Sequence, residues 1–100
     1  MAPRRDSSLT LSEAETVALQ ALDYIAGTDD LLHVFVNATG IEAARLPGAA
    51  QDPEFLAAVL DFVLMDDAWV LGCAEAAGIV PEAVPRARAA LPGGTLPNWT

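Results

Sequence analysis

The sequence holds one cysteine, one histidine and no lysine, and each scarcity closes off a class of function. A lone Cys73 rules out a disulfide scaffold, so a packed core must hold the fold. Five arginines stand against fourteen carboxylates, and the net charge of −9 makes the field around the molecule repel phosphate. Nucleic acid is therefore not the expected partner. There is no long hydrophobic run either. The most apolar stretch, 55–65, contains Asp61 and gives way to Asp66-Asp67. As a helix it spans roughly 16 Å, about half a bilayer. Behind Arg4-Arg5 come Ser7, Ser8, Ser12 and Glu13 rather than the apolar segment of a secretory signal. The expectation is a cytoplasmic protein with no membrane span, in which Cys73 is a small buried apolar residue. Missing too are a phosphate-binding loop, a dinucleotide fingerprint, a nucleophile elbow and metal-ligand spacing, so neither an enzyme nor a bound cofactor or metal is expected.

What the chain does have is apolar residues, 53 % of 100, of which twenty are alanine. That suffices for one modest core. No segment alternates with period two, whereas helical periodicity recurs throughout, so the fold class is all-α, a compact six-helix domain. Residues 1–9 read as a disordered tail, 10–94 as the domain and 95–100 as a C-terminal tail that includes Trp99. Ser12 with Glu15 fits a capping box, and Thr10 with Glu13 is a competing register. Ala14, Val17, Ala18, Ala21, Leu22 and Ile25 then make one stripe, and Gly27 is the expected left-handed terminator. Thr28 is the expected cap of a second helix with Asp29 and Asp30 in its first turn. Gly40 ends that helix, with Ile41 in the hydrophobic position of a Schellman motif. A short helix over 42–46 and a loop over 47–51 follow. Asp52 as cap and Pro53 at the first helical position start a helix whose wide apolar surface predicts a central place in the domain. Asp66 caps a fifth helix, Gly78 ends it, and Pro81-Glu82 opens a sixth.

A shift of 38 positions lays Leu22-Asp23-Tyr24-Ile25 on Leu60-Asp61-Phe62-Val63 and Gly40-Ile41 on Gly78-Ile79. The expected architecture is accordingly two similar helical units, about 12–46 and 52–91, related by approximate two-fold symmetry. Common capping chemistry in two unrelated hairpins is the alternative source of the match.

The string Asp52-Pro53-Glu54-Phe55-Leu56-Ala57-Ala58-Val59-Leu60-Asp61-Phe62 precedes Asp66-Asp67, Ala76-Ala77-Gly78-Ile79 and Pro81-Glu82. Together with Ala21-Leu22 and Thr39-Gly40 it resembles a family of short, mostly alphaproteobacterial proteins, domain of unknown function 3572. The resemblance covers roughly 12–94. It implies a small helical cytosolic protein, and it carries over no catalytic residue.

Several side chains remain candidates for function. The pairs Asp29-Asp30 and Asp66-Asp67 fit helix capping, and they lack the loop that a calcium site needs. His33, with Asp29 one turn earlier, reads as a surface pair without a nucleophile beside it. Asp23 and Asp61 lie opposite the centres of their stripes. Asp61 sits between apolar flanks, where it either bonds a helix N-terminus or faces a partner. Met65, Leu71 and Leu19 fall off their stripes. Asp61, Met65, Trp69 and Leu71 are the candidate interaction surface, because clustered exposed apolar groups mark binding sites. The expected function is a non-catalytic protein–protein interaction adaptor or regulator that binds an unidentified protein or forms a homodimer. One alternative is a helix-turn-helix-like, DNA-associated regulator, favoured if Arg45, Arg86 and Arg88 share a face. The other is a ligand-binding protein or enzyme with a polar pocket around Asp61 between the two units.

Overall fold

A computed structural model describes residues 9–28 and 30–91. The two terminal tails, apart from Leu9, lie outside the described residues, as do Trp99 and Asp29. Helix α1 (Leu11–Gly27) begins with a capping box in the earlier of the two registers. The Glu13 amide donates to Thr10 Oγ1 at 3.0 Å, and the Thr10 amide donates to Glu13 Oε1 at 2.9 Å. The expected Ser12–Glu15 box is not used. The physical reason lies one residue before the cap: this register puts Leu9 there, packed on the core as a staple, and leaves Leu11 exposed.

The junction after α1 also differs from expectation. Gly27 is the last helical residue, but its backbone is not left-handed; Thr28 closes the helix in extended conformation. Its Oγ1 donates to the Tyr24 carbonyl at 2.6 Å. Thr28 thus ends α1 rather than capping α2 (Leu31–Thr39). The left-handed residue is Asp30, at φ 67°, which caps α2 without a side-chain bond. Aspartate tolerates this region better than most non-glycine residues.

The two Gly-Ile turns are not equivalent. At Gly78 (φ 73°) the Ile79 amide reaches the Ala74 carbonyl at 3.0 Å and the Gly78 amide reaches Glu75 at 3.3 Å, a complete Schellman motif. At Gly40 (φ 76°) only the glycine amide bonds back, to Val36 at 2.8 Å, and the Ile41 amide takes Thr39 Oγ1 instead. The Schellman pattern expected at Ile41 is therefore replaced by the simpler left-handed cap. Beyond it a 3-10 turn (Ala43–Arg45) stands where the short helix was expected over 42–46, and a one-turn helix α3 (Leu46–Ala49) lies largely within the segment expected to be a loop. Pro47 sits in the first turn of α3, where no amide is needed.

Helix α4 (Pro53–Val63) starts as expected: Asp52 Oδ1 accepts the Glu54 amide at 3.0 Å, with Pro53 opening the helix. Asp66 Oδ1 accepts the Ala68 amide at 2.8 Å and starts α5 (Asp67–Ala77). Pro81-Glu82 forms a turn, and α6 (Ala83–Ala90) follows it.

Among the described residues the fold is all-α, with six helices and no strand. Its hub is α1, which packs on α2, α4, α5 and α6. Helix α4 also lies in the interior, with six of its eleven residues buried, and side-chain size explains why α1 is the helix that the others share. Ala14, Ala18 and Ala21 of α1 are fully buried, and small residues let several backbones approach one helix. Glycine does the same on α5: a Cβ on Gly72 would lie 2.9 Å from Tyr24 Cζ. Helix α4 packs on α1, α5 and α6 and fills the volume with Leu56, Val59, Leu60, Phe62 and Val63. An aromatic chain joins α2, α4 and α5. Phe35 meets Phe55 and Phe62 edge-on at 5.9 and 5.1 Å, and Phe62 stacks on Trp69 at 4.7 Å and 17°. Each half has three helices, but α1 has 17 residues and α4 has 11, and the 3-10 turn of the first half has no counterpart among the described residues of the second. Moreover α6 buries Val84 and Ala87 whereas α3 buries nothing.

Candidate functional site

The four residues singled out from sequence take three different environments. Asp61 on α4 is bound to Arg88 on α6 through two parallel contacts, Nε to Oδ1 at 2.5 Å and Nη2 to Oδ2 at 3.0 Å. A planar guanidinium matches both carboxylate oxygens at once. The Arg88 side chain is only 12 % exposed, against 56 % for Asp61. Asp61 therefore clamps a cation of its own chain, which is neither the helix N-terminus nor the outside partner between which the sequence reading left it. Trp69 is half-buried and stacked on Phe62, turned into the core. Leu71 comes two residues later on the same helix, about 200° around it, and is 58 % exposed. Met65 is 73 % exposed.

Met65 is informative because of its register. It directly precedes the α5 cap Asp66, as Leu9 precedes the α1 cap Thr10. A hydrophobic residue in that place ordinarily folds back over the first turn. Leu9 does so and packs on the core; Met65 stands out in solvent.

The remaining candidates are dispersed. His33 is exposed on α2. Cys73 is fully buried, and burial pushes its thiol up from the ordinary range, which disfavours the nucleophilic thiolate. Asp66 is committed to capping. Among the described residues no three His, Cys, Asp or Glu side chains converge as a metal site, and no helix is long and apolar enough to cross a membrane. Arg45 lies exposed beside Glu42, 3.9 Å away, Arg86 is exposed, and Arg88 is bound to Asp61.

Two open clefts were not legible in the sequence. The wider, about 750 Å³, is walled by the 3-10 turn and α3, including Ile41, Arg45, Gly48 and Asp52. The narrower, about 380 Å³, lies between α1 and the α5–α6 turn, with Leu9, Val17, Ile79 and Ala83 among its lining. Neither includes Asp61. In the sequence Val17 belongs to the α1 stripe and Ile79 to a Gly-Ile helix end, and nothing local shows that the two line one cleft.

The family model described as a protein of unknown function, DUF3572, matches residues 11–94. The chain belongs to the DUF3572 family. No curated protein and no solved structure matches it. The match begins at the first residue of α1 and runs beyond α6. All six helices and the Asp61–Arg88 clamp thus fall within the DUF3572 domain.

Proposed function

We propose that this DUF3572 protein is a small cytoplasmic protein–protein interaction module, an adaptor or regulator without catalysis of its own. The observation that carries the reading is Met65, 73 % exposed directly before a helix cap, where an apolar residue often packs back on its own helix. Methionine adapts its shape to varied partners, and adaptable apolar contacts suit recognition. Leu71, also exposed, adds to the apolar surface of this half of the domain. The core supports the reading from the other side: it holds no buried polar or charged side chain among the described residues, and Cys73 is sealed. The DNA-associated reading gains nothing from Arg88, which is occupied by Asp61 on a chain of charge −9.

The test is affinity capture from native lysate with the full-length protein, with and without nuclease, alongside a Met65→Glu, Leu71→Glu variant. A stoichiometric protein that survives nuclease and is lost from the variant supports the reading. Capture that disappears with nuclease refutes it in favour of nucleic acid. Light scattering decides separately whether the partner is a second copy of the chain.

A further inference from the structure

We propose that the cleft between α1 and the α5–α6 turn is a docking groove for an amphipathic helix of a partner protein, one whose apolar face is bordered by lysine or arginine. The inference rests on the interaction reading above and adds to it a second surface and a partner chemistry. The groove has an apolar floor of Leu9, Val17, Ile79 and Ala83. Thr16 and Gln20 form the α1 wall. Along α1 the lining extends from Ser12 to Gln20, roughly 12 Å, or a little over two helical turns. That length accommodates the two or three anchors, spaced three or four residues apart, of a helix laid in a groove. A small ligand needs most of its surface enclosed. This trough is open to solvent and has no buried polar side chain to orient one.

Charge selects among helical occupants. The groove wall carries Glu13, and exposed Glu82 adjoins Ala83 on the α6 side. No lysine or arginine lines the groove among the described residues. A second copy of the chain would bring the same carboxylates to the same place and another net charge of −9. An apolar helix edged by cations meets both the floor and the rim, and the field of the whole molecule steers it inward.

The experiment uses the full-length, isotope-labelled chain and two synthetic helices of about 14 residues. Both carry the same leucine face; one is edged by lysine, the other by glutamate. The leucine–lysine peptide should bind saturably, move the amides of Leu9, Thr16, Val17, Gln20, Ile79 and Ala83, and weaken as salt is raised. The leucine–glutamate peptide should bind at least about tenfold more weakly. Thr16→Arg with Gln20→Arg should cost about tenfold, while the same two charges added on α2, Val34→Arg with Asn37→Arg, should cost much less. Equal binding of both peptides, or perturbed amides lying elsewhere, overturns the proposal. So does a shift of the groove amides without peptide when Arg4→Glu and Arg5→Glu are introduced, because the occupant is then the chain's own N-terminal segment. Concentration-dependent groove shifts without peptide would make it a second copy. Loss of the captured partner in the Met65→Glu, Leu71→Glu variant tests the parent reading on different residues, so either proposal can fail alone.

Discussion

Replacing Asp61 by alanine removes the carboxylate from an arginine that is only 12 % exposed. Two unit charges about 4 Å apart attract by about 4 kcal/mol where the effective dielectric is about 20, and by about 1 kcal/mol in water. Asp61 is 56 % exposed, which draws the pair toward the wet limit, while Arg88 lies close to the protein. Surface pairs typically contribute up to about 1 kcal/mol, and charge-assisted hydrogen bonds about 1.5–3 kcal/mol. The clamp joins both regimes, so its coupling should be about 1–2 kcal/mol. The assay is a double-mutant cycle in urea: Asp61→Ala, Arg88→Met and the double variant, with wild type as the fourth corner. Arg88 makes a further interaction besides the clamp, and the cycle cancels it. Asp61→Ala alone should lower the melting temperature by about 4–16 °C, given about 4–8 °C per kcal/mol in a domain of this size. A coupling below about 0.5 kcal/mol would show that the bidentate geometry is a surface contact of no energetic consequence.

Four further outcomes follow from particular backbones and burials. Gly40→Ala and Gly78→Ala should each cost about 1–2 kcal/mol in urea melts, because both residues hold positive φ with open space around them. Gly27→Ala should be neutral or stabilising by up to about 1 kcal/mol, since Gly27 is helical and unhindered. Gly72→Ala should destabilise by about 1–3 kcal/mol through its clash with the Tyr24 ring, and the cost should vanish in a Tyr24→Ala background. The Cys73 thiol is raised by burial, so above about pH 8.5 the unfolded chain releases its proton while the folded chain keeps it. Stability should therefore fall as pH rises from there toward the folded value, and Cys73→Ala should remove that slope from a series of urea melts at increasing pH.

Helical periodicity and capping residues made most elements readable. Asp52-Pro53 and Asp66 each start a helix where their chemistry places one, because a short acceptor beside free amides is a local matter. Gly40 and Gly78 end helices for the same reason. The errors gather where two local solutions have similar energy. Ser12–Glu15 and Thr10–Glu13 are equally good boxes, and the burial of Leu9 decided between them. Gly27 is as good a terminator as Gly40, yet Asp30 took the left-handed conformation. Of the candidate surface, Met65 and Leu71 were visible as breaks in the stripes. The fates of Asp61 and Trp69 depended on neighbours 27 and 7 residues away, on α6 and α4 respectively.

The sequence by itself determined the helical class, most of the helix boundaries and an acidic surface, since all three depend on residues within one or two turns or on a simple sum of charges. Tertiary structure alone decided which helix is the hub, that Arg88 faces Asp61, and that a groove opens beside Val17 and Ile79. Those depend on how closely helices approach one another, and that approach is set by the sizes of side chains distant in sequence, alanine on α1 and Gly72 on α5 against phenylalanine and leucine on α4.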